Sequence, residues 1–115
     1  ANLIRQFVAF ENLDDPIRLV EMKRKTNEIE SSLSVASKRS VNLDPGYIAP
    51  SKLVLASTKD FSHRIYLGKG IYGELTLNFH KSHWRHFDWT YPDFKTPEYQ
   101  SFLCAARARL MEELK

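Results

Sequence analysis

The chain has 115 residues, of which 43% are hydrophobic and 27% are charged, and its net charge is +3. This length predicts a single domain spanning residues 1–115, and the composition is ordinary for a globular protein. No apolar run approaches the roughly 18 residues that a membrane-spanning helix needs. The single cysteine, Cys104, excludes an internal disulfide, and together these features predict a cytoplasmic protein.

The first segment, ANLIRQFVAFE at 1–11, has the pattern of a strand. Phe7 and Ala9 alternate with Val8 and Phe10, so both faces of the strand look buried, as in the centre of a sheet. We therefore expect this strand to lie inside the sheet, beside another chain or beside an N-terminal segment that precedes Ala1.

Two helices are predicted from capping residues and apolar spacing. Asp15 and Pro16 suit the start of the first helix, and Thr96 and Pro97 suit the start of the second. The first helix has an apolar stripe at Leu19, Met22, Thr26, Ile29 and Leu33, with Lys23 and Glu30 off the stripe. The second has one at Tyr99, Phe102 or Leu103, Ala106, Leu110 and Leu114.

The stretch between the first helix and the strands contains two local signals. DPGY at 44–47 predicts a type II turn, in which Gly46 would supply a positive φ. KLVLAS at 52–57 could be helix or strand, and the preceding Pro50 and Ser51 favour a short helix.

Residues 63–90 predict an antiparallel meander. ELTLNFH alternates apolar and polar residues, which is typical of a strand with one buried face. GKG at 68–70 joins this strand to RIYL as a hairpin, and Lys81 and Ser82 form a second turn that would place His80 opposite His83. The whole chain therefore predicts an α+β domain, with an antiparallel or mixed sheet and two long helices on one of its faces.

The polar connector at 57–64 is the best candidate site. Hydroxyls, cations and an imidazole in one loop suit an anionic or phosphorylated small ligand. Asp60 and His63 could transfer protons, and the DPGY turn is a candidate neighbour. The candidate ligand-binding residues are Asp44, Lys52, Ser57, Thr58, Lys59, Asp60, His63 and Arg64. A solvated connector without a ligand is the alternative.

Other motifs favour structural roles. The Gly-Lys-Gly sequence joins two strands, whereas a phosphate-binding loop leads from a strand into a helix. His80, His83 and His86 lack a clear third metal ligand within the hairpin, so no metal site is predicted. The cations are spread along the chain and are mostly matched by nearby acids, which disfavours a nucleic-acid partner.

Residues 41–94 contain the motifs DPGY, LASTKD, HRIYL and WTYPD. With these motifs the chain resembles a prokaryotic family, the domain-of-unknown-function family numbered 4416. The resemblance covers essentially the whole chain. It implies a longer family domain, of which this chain is the C-terminal two-thirds, with a further strand and helix in front and ferredoxin-like layering. Some members carry a GTP-binding label by automatic transfer, but this chain has no phosphate loop or guanine-binding motif. The resemblance assigns no reaction, cofactor or catalytic residue.

Two functions follow as hypotheses. The first is binding of an anionic small ligand, such as a nucleotide, at the connector. The alternative is a non-catalytic interaction domain, either RNA-associated or homo-oligomeric, because Tyr66, Tyr72, Trp84 and Trp89 lie on predicted strands and could stack on bases or pack on a partner.

Overall fold

The computed structural model describes residues 6–10, 13–33 and 42–115. These ranges form two α-helices and a five-stranded antiparallel sheet, which confirms the α+β class. Helix α1 spans Leu19–Ser32 and helix α2 spans Pro97–Glu113. The strands are β1 Gly46–Ala49, β2 Lys52–Ser57, β3 Arg64–Gly68, β4 Ile71–His80 and β5 His83–His86.

Both predicted helix starts are confirmed. The Asp15 carboxylate accepts a hydrogen bond from the Ile17 amide at 3.1 Å, in a short 3-10 turn that leads into α1. The Thr96 hydroxyl accepts one from the Tyr99 amide at 3.3 Å, and Pro97 is the first residue of α2. Such caps satisfy amides that have no partner within the helix. Within the described part of the chain, no helix has the length and apolar character needed to cross a membrane.

The buried side of α1 differs from the predicted apolar stripe. Leu19 is buried, but so are Lys23 and Glu30, whereas Ile29 is 40% exposed. The Lys23 ammonium donates to the Leu43 carbonyl, and the Glu30 carboxylate accepts from the Leu43 amide. The helix therefore uses two charged residues to satisfy the backbone that leads into β1, because a buried charge needs such partners.

Strand β4 lies at the centre of the sheet. Residues 72–78 of β4 pair with β2 on one edge, and its other edge is shared by β3, along 71–74, and by β5, along 77–80. The two predicted hairpins, β3–β4 and β4–β5, are confirmed. The simple meander is wrong, because β3 and β5 lie end to end on the same edge of β4.

The turns of these hairpins have the backbone conformation that two-residue loops require. Lys69 and Gly70 have φ of 53° and 79°, and Lys81 and Ser82 have φ of 48° and 70°. Two successive positive φ values match the right-handed twist of the strands that they join. The second turn pairs His80 with His83, as predicted.

Two predictions for residues 44–57 are wrong. Gly46 does not have the positive φ of a type II turn but begins β1, opposite Leu55. A Cβ on Gly46 would lie 2.5 Å from the Val54 carbonyl oxygen, so glycine is needed for close approach of the two strands. KLVLAS forms β2 rather than a helix, since Pro50 and Ser51 turn the chain back to pair β2 with β1.

The two helices pack on opposite faces of the sheet, not on one face as predicted. Leu53 and Leu55 of β2 contact a core that includes Leu103 of α2. Val54 and Ala56, which alternate with them, contact a second core that includes Leu19 of α1. Since successive strand residues point to opposite faces, we name these the α2 face and the α1 face. Ferredoxin-like layering is not confirmed.

The α2 face carries the larger core. It contains Leu53, Leu77, Trp84, Phe94 and Leu103, all at most 8% exposed. Gln100 of α2 accepts from the Trp84 amide and donates to the Trp84 carbonyl, which joins the helix to β5. The Trp84 indole N–H is buried without a hydrogen-bond partner in the described structure.

The prediction of a first strand inside the sheet is wrong for its described part. Residues 6–10 form no strand. Phe7 packs against Phe94, Tyr99 and Phe102 beside α2, whereas Phe10 is 81% exposed. The aromatic contacts of Phe7 hold this segment against the helix and not against a strand. The rest of the predicted strand lies outside the described residues.

Candidate functional site

The polar connector 57–64 is a compact loop between β2 and β3. The Ser57 hydroxyl accepts from the Lys59 amide at 3.2 Å, a local bond that turns the chain as it leaves β2. The Arg64 amide donates to the Phe61 carbonyl at 3.0 Å, which forms a second turn at the entry to β3. Thr58, Lys59, Asp60 and Ser62 are exposed between these turns.

Glu74 of β4 holds the end of this connector. One of its carboxylate oxygens, Oε1, lies 2.9 Å from His63 Nε2 and 3.1 Å from Arg64 Nε. The other oxygen accepts from the Thr76 hydroxyl at 3.2 Å. The side chains of Glu74 and His63 are only 14% and 12% exposed. Glu74 is therefore a largely buried carboxylate whose two oxygens both have partners, as burial of a charge requires.

An irregularity in the β3–β4 pairing places Arg64 opposite Glu74. Gly68 pairs with Ile71 next to the turn, but Tyr66 then pairs with Tyr72, which leaves Leu67 without a partner residue on β4. A regular hairpin with the same turn would have put Ile65, not Arg64, opposite Glu74. The extra residue thus moves the cation beside the carboxylate.

Aromatic rings cover His63. The Trp89 indole stacks on the imidazole with centroids 4.7 Å apart and planes 12° apart, and Phe61 lies 5.1 Å away. Phe87 stacks in turn on Trp89, and the Arg64 guanidinium lies 5.8 Å from the Phe61 ring. These contacts fix the imidazole and shield its bond to Glu74 from water.

The segment after β5 fills the gap that β3 and β5 leave along β4. Leu75 and Thr76 lie between the two strands and pair with neither. Trp89 Nε1 donates to the Leu75 carbonyl at 2.8 Å, and the Thr90 hydroxyl donates to the Thr76 carbonyl at 2.7 Å. Side chains therefore replace the missing strand partners. The HRIYL and WTYPD motifs therefore lie side by side on β4, through His63 and Arg64 of the first and Trp89 and Thr90 of the second.

The structure brings together only some of the predicted site residues. Ser57 and Lys59 are hydrogen-bonded to each other, and Arg64 Nη1 donates to the Lys59 carbonyl at 3.0 Å. His63 joins them through Glu74. Thr58 and Asp60 lie exposed on the same loop.

Asp44 and Lys52 lie elsewhere. Asp44 accepts from Asn42 and lies 4.0 Å from the Lys23 ammonium, just before β1. The start of β1 is three strand spacings, roughly 14 Å, from Arg64. Lys52 is at the other end of β2 from Ser57, roughly 17 Å along the strand. Neither is placed to share a small ligand with the connector.

Glu74, Thr76 and Thr90 were not predicted as site residues, and Trp89 was named only as a side chain that could stack on bases or pack on a partner. Glu74 was visible in the sequence as an acid on the polar side of a strongly alternating strand. Which side chains surround Glu74 depends on the bulge at Leu67 and on the packing of residues 87–90 against β4. Neither feature can be read from the spacing of residues in the sequence.

Two surface depressions lie away from the connector. One, of about 380 Å³, is lined by Glu21, Arg24, Lys25 and Glu28 of α1. The other, of about 400 Å³, is lined by residues 83–86 with Lys95 and Gln100. Neither contains a residue of 57–64. Across the described ranges, no three His, Cys, Asp or Glu side chains are grouped as metal ligands.

Comparison with protein families shows a match to the domain of unknown function DUF4416, over residues 1–110. The chain belongs to the DUF4416 family. Searches of curated proteins and of solved structures found no match. Since the DUF4416 match covers both the connector and the Trp89–Thr90 segment, the cluster around Glu74 lies wholly within the family domain.

Proposed function

We propose that this DUF4416 chain is a non-catalytic interaction domain that pairs with a second copy of itself through β3. The observation that carries the proposal is the exposure of three successive apolar residues on an edge strand: Ile65 is 73% exposed, Tyr66 59% and Leu67 44%. Edge strands of this kind offer unpaired backbone groups to another strand.

The sequence of β3 suits antiparallel pairing with itself. If two copies meet at Tyr66, Ile65 lies opposite Leu67 of the other copy and Arg64 lies opposite Gly68. This register puts apolar residues together and no two cations opposite each other. The flanking cations are already occupied, since Arg64 binds Glu74 and Lys69 lies 3.0 Å from Glu21.

A cysteine at position 66 tests this register directly. At the two-fold axis, residue 66 of one copy would face residue 66 of the other at a Cα separation of roughly 4.5–5.5 Å, which a disulfide can bridge. We expect Tyr66→Cys, with Cys104→Ser to remove the natural thiol, to form a cross-linked dimer under mild oxidation.

The matched control is Ile17→Cys with Cys104→Ser, because Ile17 is 77% exposed but lies outside the sheet. It should stay monomeric on a non-reducing gel. Light scattering should give twice the 13.4 kDa chain mass for the unmodified protein. A monomer in light scattering, or equal cross-linking of the two variants, would contradict the proposal.

Anion binding at the connector is the second candidate. It is supported by the exposed Lys59 side chain beside three hydroxyl residues, Ser57, Thr58 and Ser62. No described carboxylate forms an ion pair with Lys59, so its ammonium is open to a phosphate oxygen. Arg64 contributes less, since Glu74 and the Lys59 carbonyl occupy two of its nitrogens.

Titration with inorganic phosphate, followed by amide NMR shifts, tests the second candidate. We expect shifts centred on 57–62 that Lys59→Ala abolishes and Lys115→Ala does not. Lys115 is also an exposed lysine, at the far end of the chain. Shifts spread evenly over all lysine-rich segments would argue against a site at the connector.

A further inference from the structure

Half of the α1 face of the sheet is not covered by α1. The helix packs over Ala56 and Ile71, near the β3–β4 turn. The opposite half, towards the β4–β5 turn, carries eight strand residues assigned to this face by alternation and pairing. They are Ala49, Lys52, Val54, Leu75, Asn78, His80, His83 and Arg85, of which Val54 is half-buried at the border with the α1 core. We call this surface the open half.

The open half is basic along one row. Lys52 pairs with Asn78, and Asn78 pairs with Arg85, so the two cations lie on either side of the amide, roughly 10 Å apart. Arg85 Nε donates to Asn78 Oδ1 at 3.3 Å, which directs the guanidinium along the row. His80 and His83 face each other at the next position on the same side.

None of the strand residues assigned to this surface is acidic. The single acid on the five strands is Glu74, which is held by His63 and Arg64 on the other face. Within the described ranges, neither Lys52 nor Arg85 forms an ion pair with a carboxylate. The charge of the row is therefore open to a partner, and it can raise the rate of association with an acidic one.

Aliphatic side chains border the basic row. Leu75 is 37% exposed, and Val54 lies opposite it on β2. Tyr47 pairs with Val54 at the border of the open half but packs against the α1 core, and the strand residues of the open half itself include no Phe, Tyr or Trp. The scarcity of open aromatic rings disfavours single-stranded RNA or DNA, whose unpaired bases stack on such rings. Cations beside aliphatic groups fit a partner that presents carboxylates beside apolar side chains.

We propose that the open half of the α1 face binds an acidic, amphipathic segment of a partner protein. Carboxylates of that segment contact Lys52 and Arg85, and its apolar residues pack on Val54 and Leu75. The outer edge of β3 takes no part in this contact, so the inference stands independently of self-pairing through β3.

A labelled synthetic peptide of alternating Glu and Leu is the probe, with binding measured by fluorescence anisotropy on the intact chain. We expect Lys52→Glu with Arg85→Glu to weaken binding by about tenfold or more, since rim charges of one sign are reversed. Two matched charge reversals on α2 and the C-terminus, Arg109→Glu and Lys115→Glu, should change it by less than about twofold.

Two further measurements separate the contribution of charge from that of apolar contact. A peptide with Gln in place of Glu should bind weakly, and Leu75→Ser should weaken the acidic peptide without changing the fold, as circular dichroism can confirm. The proposal is overturned if oligouridylate binds more tightly than the peptide through the same residues, which would indicate a nucleic acid. It is also overturned if Lys52 and Arg85 have no effect on peptide binding.

Discussion

At the scale of single residues, Glu74 decides what the polar connector can do. A loop with two cations and an imidazole looks available for a ligand when only the sequence is considered. In the structure, His63 and Arg64 share one oxygen of the same carboxylate, and Trp89 covers the imidazole. These groups hold the connector to β4, and only the exposed residues before them remain open to solvent.

Replacing Glu74 with Ala should be costly. It leaves largely buried donors of His63 and Arg64 without their carboxylate acceptor, while the Thr76 hydroxyl keeps the carbonyl of residue 74, and we expect a loss of about 2 kcal/mol in the free energy of unfolding. Urea denaturation measures the loss. Glu112→Ala removes an exposed ion pair with Lys115 and should cost at most about 0.5 kcal/mol. Equal losses in the two variants would show that the Glu74 cluster adds nothing.

The sequence placed His63 and Arg64 in the polar connector but did not indicate that Glu74 is their partner. Hydroxyl, imidazole and guanidinium groups concentrated in one loop are visible without coordinates. Their partner is set by one unpaired residue, Leu67, whose effect on register is tertiary. For the same reason, Asp44 and Lys52 were included in the candidate site, although β1 and the length of β2 separate them from it.

At the scale of elements, helix caps and hairpin turns were predicted correctly, because they depend on only a few neighbouring residues. The caps at Asp15 and Thr96 and the turns at 69–70 and 81–82 form as expected. KLVLAS was mistaken for a helix because its apolar run has no clear period and its strand character depends on pairing with β1 and β4. The orientation of α1 was missed because it depends on Leu43, a residue outside the helix.

The turn of the β3–β4 hairpin is joined to α1 by an ion pair. Lys69 donates to Glu21 at 3.0 Å, and this hydrogen bond and the charge of Lys69 lower the pKa of Glu21 below its usual value. Because the folded pKa is the lower one, the pair stabilises the fold above the unfolded pKa. This contribution is lost as pH falls through the folded pKa.

An NMR titration of the Glu21 carboxyl carbon checks this. We expect Lys69→Met to move the pKa of Glu21 up towards its usual value, while Lys115→Met leaves it in place. The stability difference between Lys69→Met and the unmodified protein should vanish in acid. A pKa of Glu21 that is the same in all three proteins would mean that the turn and α1 do not make this contact in solution.

At the scale of the whole molecule, β4 is the strand on which the fold is organised. It pairs with three other strands, and Leu77, which is 0% exposed, lies in the larger core. Of the five strands, β4 was the clearest in the sequence, because apolar and polar residues alternate along most of its length. The side of the sheet on which each helix packs was not predictable, because amphipathic helices that pack on opposite faces have the same apolar spacing.

Hydrogen exchange should rank the strands by their place in the sheet. Backbone amides of β4 at 72–78 should exchange at least roughly tenfold more slowly than those of the edge strands β1 and β3. The comparison is made at low protein concentration, where self-pairing through β3 is weakest. Protection of β3 equal to that of β4 under those conditions would contradict its position at an exposed edge.

The shared edge of β4 also has a kinetic consequence. Each of its two hairpins closes through a two-residue turn, so each can form on the microsecond scale, about 1–10 μs, without the other. The hydrogen bonds from Trp89 and Thr90 to Leu75 and Thr76 each span 14 residues, and Trp89 also stacks on His63 beside β3. The full set of contacts therefore requires both hairpins to be in place. Assembly of this sheet can therefore begin at either turn, and we expect closure of the Trp89–Thr90 segment over β4 to be a late step that joins the two halves.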